Sequence, residues 1–341
     1  MSRQTRPSLK DIAERAGVST ATASRALSGS DLISEATVDR IRAVADACGY
    51  RPNVRARNFR TQKTMAVLIV VRDIGNAFYL EVFKGVERVA RQAGYSVLMA
   101  NTEGDVEREA EYFEMLRDGL ADGMILMTGM VPEAIQRRRD ACENVVVALE
   151  MVEDFGGPQI LIDNEASAQA AVNHLLGLGH TRIAHIAGPI PEGMSVRRRA
   201  GYRLAMQQAG LEIPAEYECH GEFSMQSGER CARALLDCER PPTAIFAASD
   251  EIAFGVIRHA HQRGLKIPQD LSVIGFDNIR FSEAFLPALT TISQPRLDIG
   301  ERAMSVLLDV MNGKAAPADP TVLPTELVVR ESTAVPNPDH N

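Results

Sequence analysis

Residues 65–71 read MAVLIVV, seven apolar residues in a row, and this run constrains the fold more than any other segment. A strand with one face in water alternates apolar and polar residues. An uninterrupted apolar run of strand length belongs to a strand covered on both faces, as in a parallel sheet flanked by helices. The signature recurs at 96–100, 123–127 and 145–149, and the intervening segments 78–93 and 106–118 have helical periodicity, with Val82, Val86 and Val89 facing inward. The rhythm restarts with a helix at 166–178. Strands at 183–186, 217–220, 243–247 and 272–276 then alternate with helices at 197–208, 226–237 and 252–262. Repeated βα units predict doubly wound parallel sheets, and two such series predict an α/β core of two subdomains.

Ligands of doubly wound sheets bind outside the carboxyl ends of the strands, and a cleft between two subdomains is a favoured place. Phe78 and Tyr79 follow the first strand where a helix N-terminus faces that cleft. Their rings can stack on a sugar or a base, or serve only to pack the core.

Charge divides the chain differently. The 341 residues carry 37 Lys and Arg against 45 Asp and Glu, a net of −8. Residues 1–63 hold 12 basic and 6 acidic groups, a net of +6, which leaves −14 for the remainder. Within the basic end, residues 51–63 (RPNVRARNFRTQK) carry five positive charges and no acid. A basic end on an acidic body is the pattern of an attached polyanion-binding module.

The first fifty residues are patterned as three short helices. Ser8 with Asp11 three places on is a capping-box-like start, Leu9, Ile12, Ala13 and Ala16 fall at helical spacing, and Gly17 ends the helix. Ser19 is placed to cap a second helix over 20–27, and Ser34 a third with Val38, Ile41, Val44 and Ala45 on one face. Two short helices across a tight glycine turn, closed by a third, make a helix-turn-helix. The second helix of that motif enters the major groove N-terminus first. Its exposed positions are Thr20, Ala21, Thr22, Ser24 and Arg25. Arg25 can contact guanine bidentately, and Thr20 and the Ala21 methyl can meet a base edge or a thymine methyl. Ser19 and Ser24 suit phosphate.

LKDIAERAGVSTATASRALSG, followed by GYRPNVRARNFR, resembles the headpiece and hinge of the LacI/GalR family of transcriptional regulators. The resemblance continues through Asn76-Ala77-Phe78-Tyr79, Ile162-Asp163-Asn164, Ala187-Gly188-Pro189, Ser249-Asp250 and Ile274-Gly275-Phe276-Asp277-Asn278, and spans about 8 to 333. The cytidine- and purine-repressor branches are nearest in appearance. The resemblance implies a periplasmic-binding-protein-like core and a hinge helix that folds on the operator, where a dimer's paired hinges wedge a leucine into the minor groove. Asn53, Ala56 and Arg57 match hinge positions, and Phe59 stands where the leucine is usual; phenylalanine is also an accepted wedge. Arg198 and Asp277 match positions that hydrogen-bond the effector, and Phe223 one where relatives present an aromatic. Glu150, Asp163 and Asp250 are further candidates of that kind. Asp250 reads equally well as a helix cap with Ser249, and Arg198 as one of three surface arginines. Where the family often has proline before the aromatic pair, this chain has Ala77.

The implied organisation is a headpiece over 1–50, a hinge over 51–63, a core over 64–333 and a tail over 334–341. Within the core, the first subdomain is expected at about 64–162 plus 293–322 and the second at about 163–292 plus 323–333. Segments 294–312 and 323–330 are the ones carried over as returning to the first. The implied protein is a cytoplasmic repressor that binds a pseudo-palindromic operator as a homodimer, under allosteric control by a sugar or a nucleoside or purine. It needs no cofactor and no metal.

Other classes fit less well. No GxSxG, GxxxxGK[ST], HExxH or GxGxxG motif marks an α/β metabolic enzyme. No apolar run reaches the roughly 18 residues of a membrane span. The N-terminus has no apolar core of a secretory signal, which a periplasmic-type solute-binding protein needs. Cys48, Cys142, Cys219, Cys231 and Cys238 show no CxxC spacing and read as reduced thiols, Cys231 and Cys238 as packing residues. His259 and His261, two apart on a helix, are a poor metal pair.

Overall fold

The computed structural model describes residues 7–27, 32–50, 63–136, 142–190, 192–315, 317 and 319–338. It divides into two compact units, Met1–Thr64 and Met65–Asn341.

The first unit holds α1 (Leu9–Ala16), α2 (Thr20–Leu27) and α3 (Glu35–Ala47). At Ser8 the capping box is complete: its hydroxyl accepts from the Asp11 amide at 3.3 Å, and the Asp11 carboxylate accepts from the Ser8 amide at 2.7 Å. Gly17 closes α1 at φ +65°, a left-handed conformation that favours glycine. Ile12, Ala13, Ala16, Ala23, Ala26, Ile41 and Ala45 are buried together. Five alanines among them let the helices approach closely in so small a core. Ser34 stands at the cap of α3, but its hydroxyl pairs with Thr37 Oγ1 at 2.9 Å rather than with a backbone amide.

The second unit contains two six-stranded sheets. Five strands come first: β1 (Ala66–Val71), β2 (Ser96–Asn101), β3 (Gly123–Leu126), β4 (Val145–Ala148) and β5 (Gln159–Ile162). Helices α4 (Phe78–Gln92) and α5 (Val106–Arg117) connect the early ones, and a single helical turn lies at Glu133–Gln136. The second series runs α6 (Asn164–Gly177), β6 (Ile183–Ala187), α7 (Gly193–Gln208), β7 (Glu218–His220), α8 (Met225–Leu236), β8 (Ala244–Ala247), α9 (Asp250–Gln262) and β9 (Ser272–Asp277). Four elements finish it: β10 (Thr290–Ser293), α10 (Arg296–Met311), β11 (Thr321–Leu323) and β12 (Glu326–Val328). The first sheet has the order β11-β5-β4-β3-β1-β2 and is parallel throughout. The second has the order β12-β10-β9-β8-β6-β7, parallel except for the β10–β12 pair.

Side-chain alternation accounts for the continuous apolar runs. Val67, Ile69 and Val71 pack into one layer while Leu68 and Val70 pack into the other, so both faces of β1 are buried. Helices α4 and α10, in the same layer, pair at glycine crossings. A methyl on Gly85 of α4 would lie 2.1 Å from the Leu297 carbonyl, and one on Gly300 of α10 would lie 2.1 Å from that of Val82. No side chain fits there.

The chain passes between sheets three times, at β5–α6, at β10–α10 and at β11–β12. The returning strand is Thr321–Leu323, which pairs with Ile160–Ile162 in the first sheet. That corrects the expectation for 323–330: Glu326–Val328, in the middle of that segment, pairs antiparallel with β10 in the second sheet. Pro324 and Thr325 separate the two strands and turn the chain from one sheet to the other.

Candidate functional site

In the first unit, α2 presents a polar face. Ser19 caps it by accepting from the Thr22 amide at 3.1 Å, and its hydroxyl lies 2.8 Å from Thr22 Oγ1. Ala23 and Ala26 are buried, which turns Thr20, Ala21 and Arg25 outward; these three and Ser19 are exposed, and Thr22 and Ser24 are half-buried. The helix carries no carboxylate, so nothing on it repels a polyanion. The hinge positions Asn53, Ala56, Arg57 and Phe59 lie outside the described residues.

In the second unit, a cavity of about 540 Å³, mouth included, opens where the carboxyl ends of both sheets meet. From the first sheet come Arg72, Asn76, Phe78 and Tyr79 after β1, Met127 and Thr128 after β3, and Leu149 and Glu150 after β4. The second sheet supplies Glu192, Met194 and Arg198 around the start of α7, Phe223 after β7 and Asp277 at the end of β9; Gln294 follows β10. The Phe78 and Tyr79 rings meet edge to face at 5.5 Å.

Arg198 is buried. Its Nε donates to Asn164 Oδ1 at 2.9 Å, one Nη donates to the Ala248 carbonyl at 2.6 Å, and the guanidinium lies 3.6 Å from the Phe276 ring centre. Asp277 Oδ1 stands 3.8 Å from that guanidinium and accepts from Gln294 Nε2 at 2.7 Å. Burial raises the Asp277 carboxyl above its ordinary range, with Arg198 pulling the other way. Glu150 Oε2 accepts from the Met194 amide at 3.0 Å. Burial pushes the Glu150 carboxyl up to about 7, again against Arg198. At the mouth, Arg72 is ion-paired with Glu192 and reaches Glu222 at 3.4 Å, joining the two subdomains. The cavity therefore offers aromatic faces, buried carboxylates that accept from hydroxyl or NH groups, and two guanidinium donors.

Residues 8–53 match the model for bacterial regulatory proteins of the lacI family, and residues 172–333 match the periplasmic binding protein-like domain. The HTH-type transcriptional repressor CytR of Escherichia coli K12 is 37% identical over 332 residues, covering 97% of each chain. The chain belongs to the lacI family. Catabolite control protein A of Priestia megaterium is 34% identical, over 95% of this chain and 98% of its own. A crystal structure of the lac repressor dimer bound to operator and the anti-inducer ONPF superimposes with a TM-score of 0.87 at 27% identity, covering 97% of this chain and all of that one. Like these lacI-family relatives, the protein is a DNA-binding transcriptional repressor and not an enzyme. The headpiece match separates it from solute-binding proteins that share the core architecture.

Within this lacI-family core, six of the eight effector candidates converge on the cavity: Phe78, Tyr79, Glu150, Arg198, Phe223 and Asp277. Asp163 and Asp250 lie outside its lining. Asp163 is exposed and caps α6 by accepting from the Ala166 amide at 2.9 Å. Asp250 is fully buried, and its carboxylate accepts from the Ile279 amide (2.8 Å), Ser282 Oγ (2.6 Å) and Thr291 Oγ1 (2.5 Å), tying α9 to β10. The sequence reading missed Arg72, Thr128, Glu192, Met194 and Gln294 as lining residues. Arg72 carried a usable signal, being the first residue after the first buried strand.

Proposed function

We propose that this lacI-family repressor acts in the cytoplasm as a homodimer on a pseudo-palindromic operator, controlled by a small polar metabolite in the cavity between the core subdomains. The metabolite is a sugar or a nucleoside or purine. The observation that carries the reading is the meeting of Phe78, Tyr79 and Phe223 with Arg198, Glu150 and Asp277 at the strand ends. Aromatic faces hold a flat ring, an arginine fork donates to carbonyl or hydroxyl oxygens, and carboxylates accept from hydroxyl or NH groups. Dimeric helix-turn-helix proteins read two related half-sites, which favours the pseudo-palindrome. Supporting the DNA side, α2 exposes Thr20, Ala21 and Arg25, suited to base edges, with Ser19 and Ser24 suited to phosphate and Thr22 between them. Asn53, Ala56, Arg57 and Phe59 complete the contact from the hinge. The proposed bounds are 1–50 for the headpiece and 51–63 for the hinge, with core subdomains at 64–162 plus 293–322 and 163–292 plus 323–333.

Coupling follows from the groups that face both ways. Arg72 and Glu150 reach from the first sheet to Glu192 and Met194 of the second, so a ligand touching them favours one arrangement of the subdomains. A thermal-shift screen of nucleosides, purines and sugars on the full chain tests this. At least one class is expected to raise Tm, and the same compound to change operator affinity in a mobility-shift assay. Stabilisation by none of them overturns the effector reading. Arg25→Ala is expected to cost about 1–3 kcal/mol of binding at one base-pair position. Equal weakening across all operator variants would instead make Arg25 a phosphate contact.

A further inference from the structure

Cys219 lies in the middle of β7, the edge strand of the second sheet, beside Ile186 of β6. Helix α8 packs against that strand and buries Cys231, whose Sγ comes within 3.8 Å of the His220 carbonyl. Cys219 packs against the same buried cluster that contains Cys231, and both thiols are free. Cys238, just past the end of α8, instead donates to the Leu235 carbonyl at 3.1 Å. Between the paired cysteines runs the β7–α8 loop, and this loop carries Phe223 into the cavity wall.

We propose that Cys219 and Cys231 are an oxidisable pair, which a hydroperoxide converts to a disulfide that clamps the loop bearing Phe223. The roles of the two sulfurs differ. The neighbouring Cys231 thiol holds the Cys219 thiol below its usual range, against burial and with help from the Arg230 charge, while the Cys219 neighbour and burial push Cys231 up; Cys219 is also the less buried of the two. Cys219 therefore attacks first. Its thiolate sulfur takes one peroxide oxygen, the O–O bond breaks, and the other oxygen leaves as water after picking up a proton. Cys219 is then a sulfenic acid. The Cys231 sulfur attacks it, the S–O bond breaks, and the departing hydroxide leaves as a second water with the Cys231 proton. Two thiols lose two electrons, and one hydroperoxide accepts them. The disulfide would join a strand and a helix that already touch, and would fix the loop between them. That the clamp alters effector binding rests on the cavity reading above; the bond itself does not.

The test treats the full-length protein with hydrogen peroxide, alkylates the remaining thiols and maps peptides without reductant. A Cys219–Cys231 cross-linked peptide pair is expected, two hydrogens lighter than the free peptides. It should disappear with dithiothreitol and in Cys219→Ser, and persist in Cys238→Ser. A cross-link to Cys238, or none in a sample where Cys48 has become oxidised, overturns the proposal. A ligand found in the thermal screen is expected to show different Kd values for the oxidised and reduced forms. Equal values would remove the clamp on Phe223 while the peptide map reports on the disulfide separately.

Discussion

Replacing Arg198 by alanine is expected to lower the unfolding free energy of the chain by about 3–5 kcal/mol. The guanidinium is 2% exposed and holds four neighbours at once: Asn164 Oδ1, the Ala248 carbonyl, the Asp277 carboxylate and the Phe276 ring. Truncation leaves two buried acceptors without their donor and removes the nearest positive charge from Asp277. An unpaired buried charge is costly because the interior cannot solvate it. Asp277 also sits at φ +119°, a backbone conformation that L-residues rarely adopt and that the surrounding contacts must enforce. Arg198→Lys is expected to recover only part of the loss, since an ammonium can neither reach both acceptors in one plane nor stack on the ring. Equilibrium urea unfolding checks this. A loss under about 0.5 kcal/mol is what a surface arginine would give, and it would contradict the buried role. The same substitution is expected to abolish ligand-induced stabilisation, read by thermal shift with the compound that shifts the parent protein.

The two readings of Arg198 left open by the sequence show where local information ends. Three arginines in a row on an apparent helix say nothing about which one turns inward; packing of α7 against α6 and β6 decides it. What was legible had a local cause. Seven apolar residues at 65–71 demanded burial on both faces, and Val67, Ile69 and Val71 do face one layer while Leu68 and Val70 face the other. In the first fifty residues, Ser8 with Asp11 and the glycine at position 17 set the ends of α1 within a few residues of chain. Strands β5, β10, β11 and β12 had no such cause. They are three or four residues long and mix polar with apolar side chains, so their extended form depends on remote partners, as Thr321–Leu323 depends on Ile160–Ile162. The site divides along the same line. Phe78, Tyr79 and Glu150 follow visible strands, whereas Glu192 comes from the irregular loop after β6 and Gln294 reaches the cavity only because the chain crosses between sheets after β10. The surroundings of Asp250 were hidden for a related reason: three donors from distant segments occupy its carboxylate, and none of them is near it in sequence.

Glu109 is expected to make the protein lose stability as pH rises from 5 to 8, by about 1–3 kcal/mol relative to Glu109→Gln. Its side chain points from α5 into the layer that holds Phe113, one turn further along the helix, and the residue is fully buried. One carboxyl oxygen accepts from the Thr128 hydroxyl in a short hydrogen bond; the other has no hydrogen-bond partner among the described residues. Burial pushes the carboxyl up from 4.5 to about 7, with the Thr128 bond opposing. Below pH 4.5 the group is neutral whether the chain is folded or not, and it contributes no pH dependence. Between 4.5 and 7 the folded protein keeps the proton that the unfolded chain has released, so each step upward in pH favours unfolding. Above 7 both states are ionised, and the full penalty of a buried carboxylate persists. Glutamine keeps an oxygen for Thr128 and cannot ionise, so subtracting the variant's curve cancels the raised carboxyls of Glu150, Asp250 and Asp277, which both proteins share. Urea unfolding of the pair at pH 5, 6, 7 and 8 measures the difference directly, and a difference that stays flat would mean that Glu109 does not titrate in this range. Thr128 also lines the cavity. A proton on Glu109 changes the demand on the Thr128 hydroxyl, so effector affinity is expected to move further over the same pH interval in the parent protein than in Glu109→Gln, where only the cavity carboxyls Glu150 and Asp277 still titrate.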